Sequence, residues 1–300
     1  MSWQMANRVA SIAAAQAHGE LGIDELVWPI DVASAIDAAG LELMYRPMPA
    51  LFGAYLADAP VRGILVNSRM TRAVRRHTAA HELGHHHLGH GTVVDRGADD
   101  EASSGLAVVR GADGIERAAE AFATWFLMPL RTVRAALAAC GFSPPLTAAQ
   151  VYQLSLRLGT SYAATARHLV SLRMADSRQA QAWAAVLPGR LKQALSGALL
   201  ESTRGTDVWD LTAAADGDAV VASGGDLLVV DGRDGPPQVH GPHTLHAHPD
   251  AAARWIVRPY AETSDAAITV DTPAGRVTAA VLATPRGRYV HPRRRTNGAS

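Results

Sequence analysis

The sequence HELGH at residues 81–85 constrains the fold of this 300-residue chain more than any other feature. At 3.6 residues per turn, positions four apart return to nearly the same face of a helix. A helix over residues 71–87 therefore lets the imidazoles of His81 and His85 bind one metal ion. The competing interpretation is a solvated helix face that is rich in histidine.

Glu82 directly follows the first of these two histidines. This position places its carboxylate beside a water on the metal rather than on the metal itself. There the carboxylate can take a proton from the water and deliver it to a leaving amine, as general base and then general acid. Zinc suits such a site because it accepts four-coordinate geometry with one open position, and Mn²⁺ is the alternative ion.

A third protein ligand must come from outside HELGH. The extension His-x-x-Gly-x-x-His of one group of zinc proteases does not fit, because Leu88 stands at its glycine and Gly91 at its last histidine. A glutamate on a following helix is the next option. Glu116 and Glu120 are four residues apart, share one helical face, and are both candidates.

Two separated motifs make residues 5–175 resemble the ImmA/IrrE family of metallopeptidases. The first covers residues 67–85 and ends with HELGH, and the second, residues 115–129, reads IERAAEAFATWFLMP. The family pairs HELGH with a downstream helix of the form E-x-x-A-(N/D)-x-F-A that ends in L-L-M-P. The resemblance implies a zincin-like peptidase domain, with a small β-sheet and the HELGH helix, and puts the third ligand on Glu116.

Two positions depart from the family pattern. Glu120 stands where the family has Asn or Asp, and His77 replaces the usual aromatic residue. Glu120 could compete with Glu116 for the metal, or it could orient a ligand from the outer shell.

The function implied by the resemblance is that of a zinc-dependent endopeptidase, with zinc on His81, His85 and Glu116 and with Glu82 as general base. Its implied substrate is a partner transcriptional repressor of helix-turn-helix type, whose cleavage would release stress or mobile-element genes. A second hypothesis is a non-proteolytic regulatory protein that binds DNA or a repressor and holds a structural metal. A closed site with four protein ligands would favour that second hypothesis.

The other histidines have weaker interpretations. His86 and His87 lie about 100° and 200° around the helix from His85, so they are expected in surface or loop contacts. His90 is expected to be solvent-exposed, with an approach to substrate as the alternative. Four more histidines between residues 240 and 248 are interpreted as part of a surface strand rather than as a second metal site.

The pattern of apolar and turn residues predicts an α+β fold in four parts. Residues 1–130 form the peptidase domain, residues 131–203 a helical, helix-turn-helix-like segment, residues 204–292 a small antiparallel β domain, and residues 293–300 a disordered basic tail. By resemblance, the helical segment packs on the peptidase domain. The acidic, Gly/Ser-rich residues 91–114 are interpreted as a functional loop.

Within these parts, the predicted helices are an N-terminal helix and residues 31–39, 71–87, 116–127, 130–139, 147–158, 161–172 and 177–198. The predicted strands are residues 41–45, a hairpin over 53–67, and short runs at 207–211, 219–222, 227–230, 255–257, 267–270 and 277–282.

The charges cancel overall, from 28 basic and 28 acidic residues, which excludes a uniformly basic or acidic molecule. They are unevenly distributed, because residues 131–200 hold eight basic residues and one acidic residue. A DNA-binding interpretation would use Arg167 and Arg173 on the second helix of the helix-turn-helix. A docking surface for an acidic protein partner, or a solvated surface, is favoured because the basic residues are thinly spread.

Three features concern the location of the chain. Cys140 is the single cysteine, which excludes an intramolecular disulfide and fits a reducing cytosol. The longest apolar run, residues 121–130, is far shorter than the roughly 20 residues needed to cross a bilayer. The alanine-rich start lacks the basic residues of a secretory signal. A cytoplasmic protein is therefore predicted, and its oligomeric state stays open.

Overall fold

The computed structural model describes residues 3–58, 60–96, 114–200, 202–233, 235–261 and 265–289 of the chain. Helices and strands are both abundant in these ranges and the C-terminal region is mainly β, which confirms the predicted α+β class. No helix in these ranges is long and apolar enough to cross a membrane. The predicted basic tail, residues 293–300, and most of the predicted functional loop, residues 97–113, lie outside the described residues.

The helices follow the sequence prediction closely, with one exception. Residues 177–198, predicted as one helix, form two, because Leu187 adopts extended backbone before Pro188. The α-helices of the described ranges are α1 (Trp3–Glu20), α2 (Val32–Ala38), α3 (Arg72–His87), α4 (Gly114–Leu127), α5 (Leu130–Ala139), α6 (Ala148–Leu158), α7 (Tyr162–Ser171), α8 (Ser177–Ala184) and α9 (Pro188–Ser196).

The strands of the described ranges are β1 (Glu42–Arg46), β2 (Leu51–Leu56), β3 (Gly63–Asn67), β4 (Val93–Arg96), β5 (Val208–Asp210), β6 (Ala219–Ser223), β7 (Leu227–Asp231), β8 (Gln238–His240), β9 (His243–Ala247), β10 (Arg254–Pro259), β11 (Ala266–Thr272), β12 (Gly275–Leu282) and β13 (Gly287–Tyr289). The sequence pattern does not predict β4 or β13. Strand β4 lies in the segment expected to be a loop, and both strands form by pairing with distant partners, β2 and β1.

The described residues form two compact units, and unit 1 contains those within Met1–Ala136, Leu158–Leu172 and Pro285–Ser300. Its sheet has the strand order β13-β1-β3-β2-β4, in which β1 and β3 are parallel and the other neighbours antiparallel. Helix α4 packs against α1 and α3, and α3 also packs against β2 and β3. Helix α3, which carries HELGH, therefore lies between the sheet and α4.

Unit 2 contains Leu137–Arg157 and Arg173–Thr284. It holds two four-stranded sheets, with the orders β5-β7-β10-β9 and β6-β12-β11-β8. The pairs β5–β7 and β6–β12 are parallel, so the expectation of a purely antiparallel domain is wrong. Apolar side chains of the first sheet form a buried core cluster, which consists of Val208, Leu227, Val229 and Ile256.

The unit boundaries differ from the predicted domain borders at residues 130 and 203. Gln153 of α6 bonds to the backbone of β5 through both atoms of its amide, so α6 is part of unit 2. His168 of α7 lies 2.9 Å from the carbonyl oxygen of Met128, so α7 is part of unit 1. These contacts join residues far apart along the chain, which a change of composition does not reveal.

Candidate metal centre

Helix α3 has clear signals at both ends. The Thr71 hydroxyl accepts a hydrogen bond from the Val74 N–H, and Gly89 follows the helix with a φ of +70°, a left-handed conformation that glycine adopts without strain. All residues from Thr78 to His85 are buried. The interpretation of HELGH as a solvated helix face is therefore wrong.

Three predicted ligands come together where α3 meets α4. The Nε2 atoms of His81 and His85 are 3.0 Å apart, and the Glu116 carboxylate lies 3.2 Å from the first and 3.5 Å from the second. The ligand atoms of the three residues all lie within 4.8 Å of one another. No other group of three or more His, Cys, Asp or Glu residues in the described part of the chain has such geometry.

These separations fit one ion bound by all three side chains. Metal–ligand distances of about 2.0–2.1 Å in a tetrahedral zinc site put neighbouring donor atoms about 3.3 Å apart. The observed separations lie on both sides of that value: 3.0 Å between the two Nε2 atoms, 3.2 Å from His81 to Oε2 of Glu116, and 3.5 Å from His85 to Oε1. His81, His85 and Glu116 could therefore hold a metal ion with little movement of either helix.

Glu116 is held in its ionised form. Hydrogen bonds with His81 and His85 keep the pKa of its carboxyl well below the ordinary value, and this effect outweighs burial, which raises the pKa. The ionised carboxylate is the form that binds a metal ion. Its position in the first turn of α4 also favours a negative charge, because the amino end of a helix carries partial positive charge.

Glu120, the alternative third ligand, lies on the other side of the His81 ring. Its Oε2 is 2.8 Å from Nε2 of His77 and 3.8 Å from Nδ1 of His81. Burial raises the pKa of Glu120, but the charge and hydrogen bond of His77, with the charges of His81 and Arg167, outweigh burial and lower the pKa to about 2. Glu120 is thus hydrogen-bonded to His77, lies beyond hydrogen-bond distance of His81, and is not one of the three donor side chains that come together.

Glu82 is completely buried, and its carboxylate faces strand β2. A Cβ atom added at Gly53 of that strand would lie 2.9 Å from Oε1 of Glu82 and 2.5 Å from Cγ2 of Thr78. Glycine at position 53 therefore leaves the space that the carboxylate occupies. Sequence reasoning missed Gly53, although glycine inside a strand is a recognised sign of close approach by another group.

Gly84 allows α3 and α4 to approach each other closely. A Cβ atom at this position would lie 2.9 Å from the ring of Phe122. This contact explains the glycine of HELGH and the phenylalanine of the second motif together. It brings Glu116, six residues before Phe122 on the same helix, within reach of the two histidines.

The remaining histidines of the cluster are partly buried rather than free on the surface. Nδ1 of His86 is 2.9 Å from the hydroxyl of Tyr55, and the His87 ring packs near Phe122. His90, expected to be solvent-exposed, places its Nδ1 2.9 Å from Nδ1 of His85. Burial is the main cause of the lowered pKa of His90.

A family model described as the IrrE N-terminal-like domain, from a family of peptidases, matches residues 36–166. The matched segment includes HELGH on α3 and Glu116 on α4. Residues 36–166 therefore match the ImmA/IrrE family. A search of curated proteins found no match to it. The match to a peptidase family indicates a metallopeptidase, and strands β5–β13 lie beyond the matched segment.

Proposed function

We propose that this protein is a zinc-dependent endopeptidase whose zinc is held by His81, His85 and Glu116. The observation that carries the proposal is the meeting of these three donors at separations that suit one ion. Among the described residues the group contains three ligands, which leaves one position of a tetrahedral site for water or substrate. An open position is typical of catalytic rather than structural zinc sites.

The donor set favours zinc over other common ions. Two imidazoles and one carboxylate are the ligands of many catalytic zinc sites, whereas Mg²⁺ and Ca²⁺ prefer oxygen ligands only. The single carboxylate leaves one net positive charge on a divalent ion. That charge would polarise a bound water and the scissile carbonyl, and this is the chemistry that the metal would supply.

Glu82 would move the proton in this reaction. As general base its carboxylate takes a proton from the attacking water, and as general acid it delivers that proton to the leaving nitrogen of the cleaved peptide bond. Burial of the side chain and the confined space beside Gly53 would hold the carboxylate in one orientation. The negative charge of Glu120, 3.8 Å from Nδ1 of His81, would favour a proton on that atom and leave Nε2 free for the metal.

The proposed substrate is a helix-turn-helix repressor that acts as the partner of this protein in the cytoplasm, and its cleavage would release stress or mobile-element genes. The resemblance to the ImmA/IrrE family supports this class of substrate. The excess of basic residues between positions 131 and 200 would suit an acidic surface on the partner. The same basic residues support direct DNA binding more weakly, because they are thinly spread.

The test is cleavage of helix-turn-helix repressors from the same genome by zinc-loaded wild type and by Glu82→Gln. We expect Glu82→Gln to keep its zinc but to cleave about 10²–10⁴-fold more slowly, because general base catalysis contributes that much. Glu20→Gln is the matched control, since it makes the same chemical change at a mostly exposed residue of α1. Cleavage by Glu82→Gln at the wild-type rate would refute the mechanism, and a chelator should abolish wild-type cleavage.

A further inference from the structure

His90 lies just beyond the carboxyl end of α3 and contacts His85, a proposed metal ligand, on the side of the ring away from the metal. Its Nδ1 is 2.9 Å from Nδ1 of His85, while Nε2 of His85 faces the other two donors. The two rings are 5.0 Å apart, centroid to centroid, at an interplanar angle of 62°. His90 thus lies on the opposite edge of the His85 ring from the proposed metal.

The end of α3 places His90 at this position. The His90 N–H donates to the carbonyl of His85 at 2.9 Å, and the Gly89 N–H donates to the carbonyl of His86 at 3.1 Å. This pair of bonds closes the helix and requires the positive φ that Gly89 adopts. His90 is therefore hydrogen-bonded to His85 through both its backbone and its side chain.

The chemistry of imidazole decides the direction of the side-chain hydrogen bond. A neutral imidazole carries one proton, and a ring that binds a metal through Nε2 carries that proton on Nδ1. The Nδ1–H of His85 would then donate to Nδ1 of His90, which must be unprotonated. The proton of His90 would be on its own Nε2.

The two proposed histidine ligands therefore have different partners at Nδ1. His81 faces the carboxylate of Glu120 at 3.8 Å, whereas His85 faces a neutral acceptor at hydrogen-bond distance. Partners of this kind fix the tautomer and orientation of a ligand ring, and their loss typically weakens metal binding about 10–100-fold.

We propose that His90 is a positioning residue of the metal centre, which accepts a hydrogen bond from Nδ1–H of His85 and so holds Nε2 of His85 toward the metal. This inference rests on the metal site of the proposed function. It assigns no contact with substrate to His90.

The experiment measures Zn²⁺ affinity by competition with a chelator, without any substrate, for wild type and three variants. His90→Ala removes the acceptor and should weaken zinc binding about 10-fold or more. His90→Asn keeps an acceptor oxygen near the position of Nδ1 and should restore affinity to within about 3-fold of wild type. The control His86→Ala breaks a hydrogen bond on another face of α3 and should bind zinc nearly as wild type does.

Two results would overturn the inference. Zinc affinity of His90→Ala equal to that of wild type would show that His90 does not position His85. Equal losses in His90→Ala and His90→Asn would show that the acceptor atom is not what matters. Wild type that binds no zinc would instead contradict the proposed function itself, so the two failures are distinguishable.

A second readout reports on the proton directly. In zinc-loaded wild type, the long-range ¹H–¹⁵N spectrum of the histidine rings should show His90 with its proton on Nε2 and His85 with its proton on Nδ1. A spectrum with the His90 proton on Nδ1 would contradict the proposal, since that atom could not then accept.

Discussion

Buried polar side chains are arranged differently in the two units of this protein. In unit 2, Arg157 and Asp218 form two parallel hydrogen bonds of 2.9 and 2.7 Å, and each donor meets an acceptor. In unit 1, two imidazole nitrogens face each other at 3.0 Å with the carboxylate of Glu116 beside them. In the Arg157–Asp218 pair the two side chains satisfy each other, whereas the group of His81, His85 and Glu116 has the arrangement expected around a cation.

This difference separates polar groups that stabilise the fold from polar groups that bind a ligand. A buried ion pair contributes to stability only when each partner satisfies the other, and removing one partner leaves an uncompensated charge. Ligand residues instead converge on a point, and the ion supplies their common partner. Substitutions in unit 2 should therefore change stability, and substitutions in the metal centre should change metal binding.

The largest effect on stability is expected for Arg157→Met. The substitution leaves the carboxylate of Asp218, whose side chain is only 13% exposed, without its partner, which should destabilise unit 2 by up to about 3–5 kcal/mol. Urea unfolding followed by circular dichroism measures the loss, and Arg178→Met at an exposed position of α8 is the matched control. A fall in the unfolding free energy of less than about 1 kcal/mol, or a change in zinc affinity, would contradict this separation of structural from ligand-binding groups.

The next effect concerns His168, a satisfied polar group within unit 1. Its ring lies 2.9 Å from the carbonyl oxygen of Met128, and burial lowers its pKa from 6.5 to about 4. Because the folded-state pKa is depressed, the stabilisation is present above about pH 6.5 and is lost as the pH falls through 4, by about 3 kcal/mol at most.

The measurement for His168 is the unfolding free energy of metal-free protein between pH 7 and pH 4. His168→Gln retains an N–H donor for Met128 but does not titrate, so its stability should vary less with pH over this range. Identical pH dependence of the variant and the wild type would contradict the burial argument. It would also show that a buried polar group with a protein partner does not necessarily stabilise the fold.

A smaller effect is expected for Gly53→Ala, which adds a methyl group against Glu82 and Thr78. Overpacking of this kind costs about 1–3 kcal/mol, and the carboxylate of Glu82 must shift. We expect peptidase activity to fall more than zinc affinity does. Gly19→Ala adds the same methyl group in open space on α1 and should change neither quantity. Unchanged activity of Gly53→Ala would show that β2 does not hold Glu82.

A smaller effect on stability than that of Arg157→Met is also expected at the metal centre itself. Glu116→Gln replaces the carboxylate, which is 21% exposed, with an amide of the same size whose oxygen can still accept from His81 or His85, so the metal-free protein should lose less stability than it does with Arg157→Met. Thermal unfolding in the presence of a chelator measures this change. A loss as large as that of Arg157→Met would place Glu116 among the structural groups instead.

The sequence predicts the metal centre unevenly. HELGH, with Thr71 before it and Gly89 after it, identifies α3 and two ligands because their spacing is local. Glu116 and Glu120 share one helical face, so helical spacing alone does not separate them. The resemblance to a family favours Glu116, and the structure brings Glu116 to Nε2 of both histidines.

The sequence pattern does not predict features that depend on contacts between residues far apart along the chain. Strands β4 and β13 are short and form by pairing with β2 and β1, and the parallel pairs of unit 2 follow from topology. The contact of His90 with His85 is partly an exception. Gly89 as the residue after a helix indicates a turn that directs the next side chain back toward the helix end.

The most direct test of the central claim is the amount and affinity of zinc bound by wild type, Glu116→Ala and Glu120→Ala. We predict one ion per chain for wild type, a loss of affinity of more than about 100-fold for Glu116→Ala, and a smaller, outer-shell loss for Glu120→Ala. Wild-type zinc affinity in Glu116→Ala, or abolished binding in Glu120→Ala alone, would contradict a site formed by His81, His85 and Glu116.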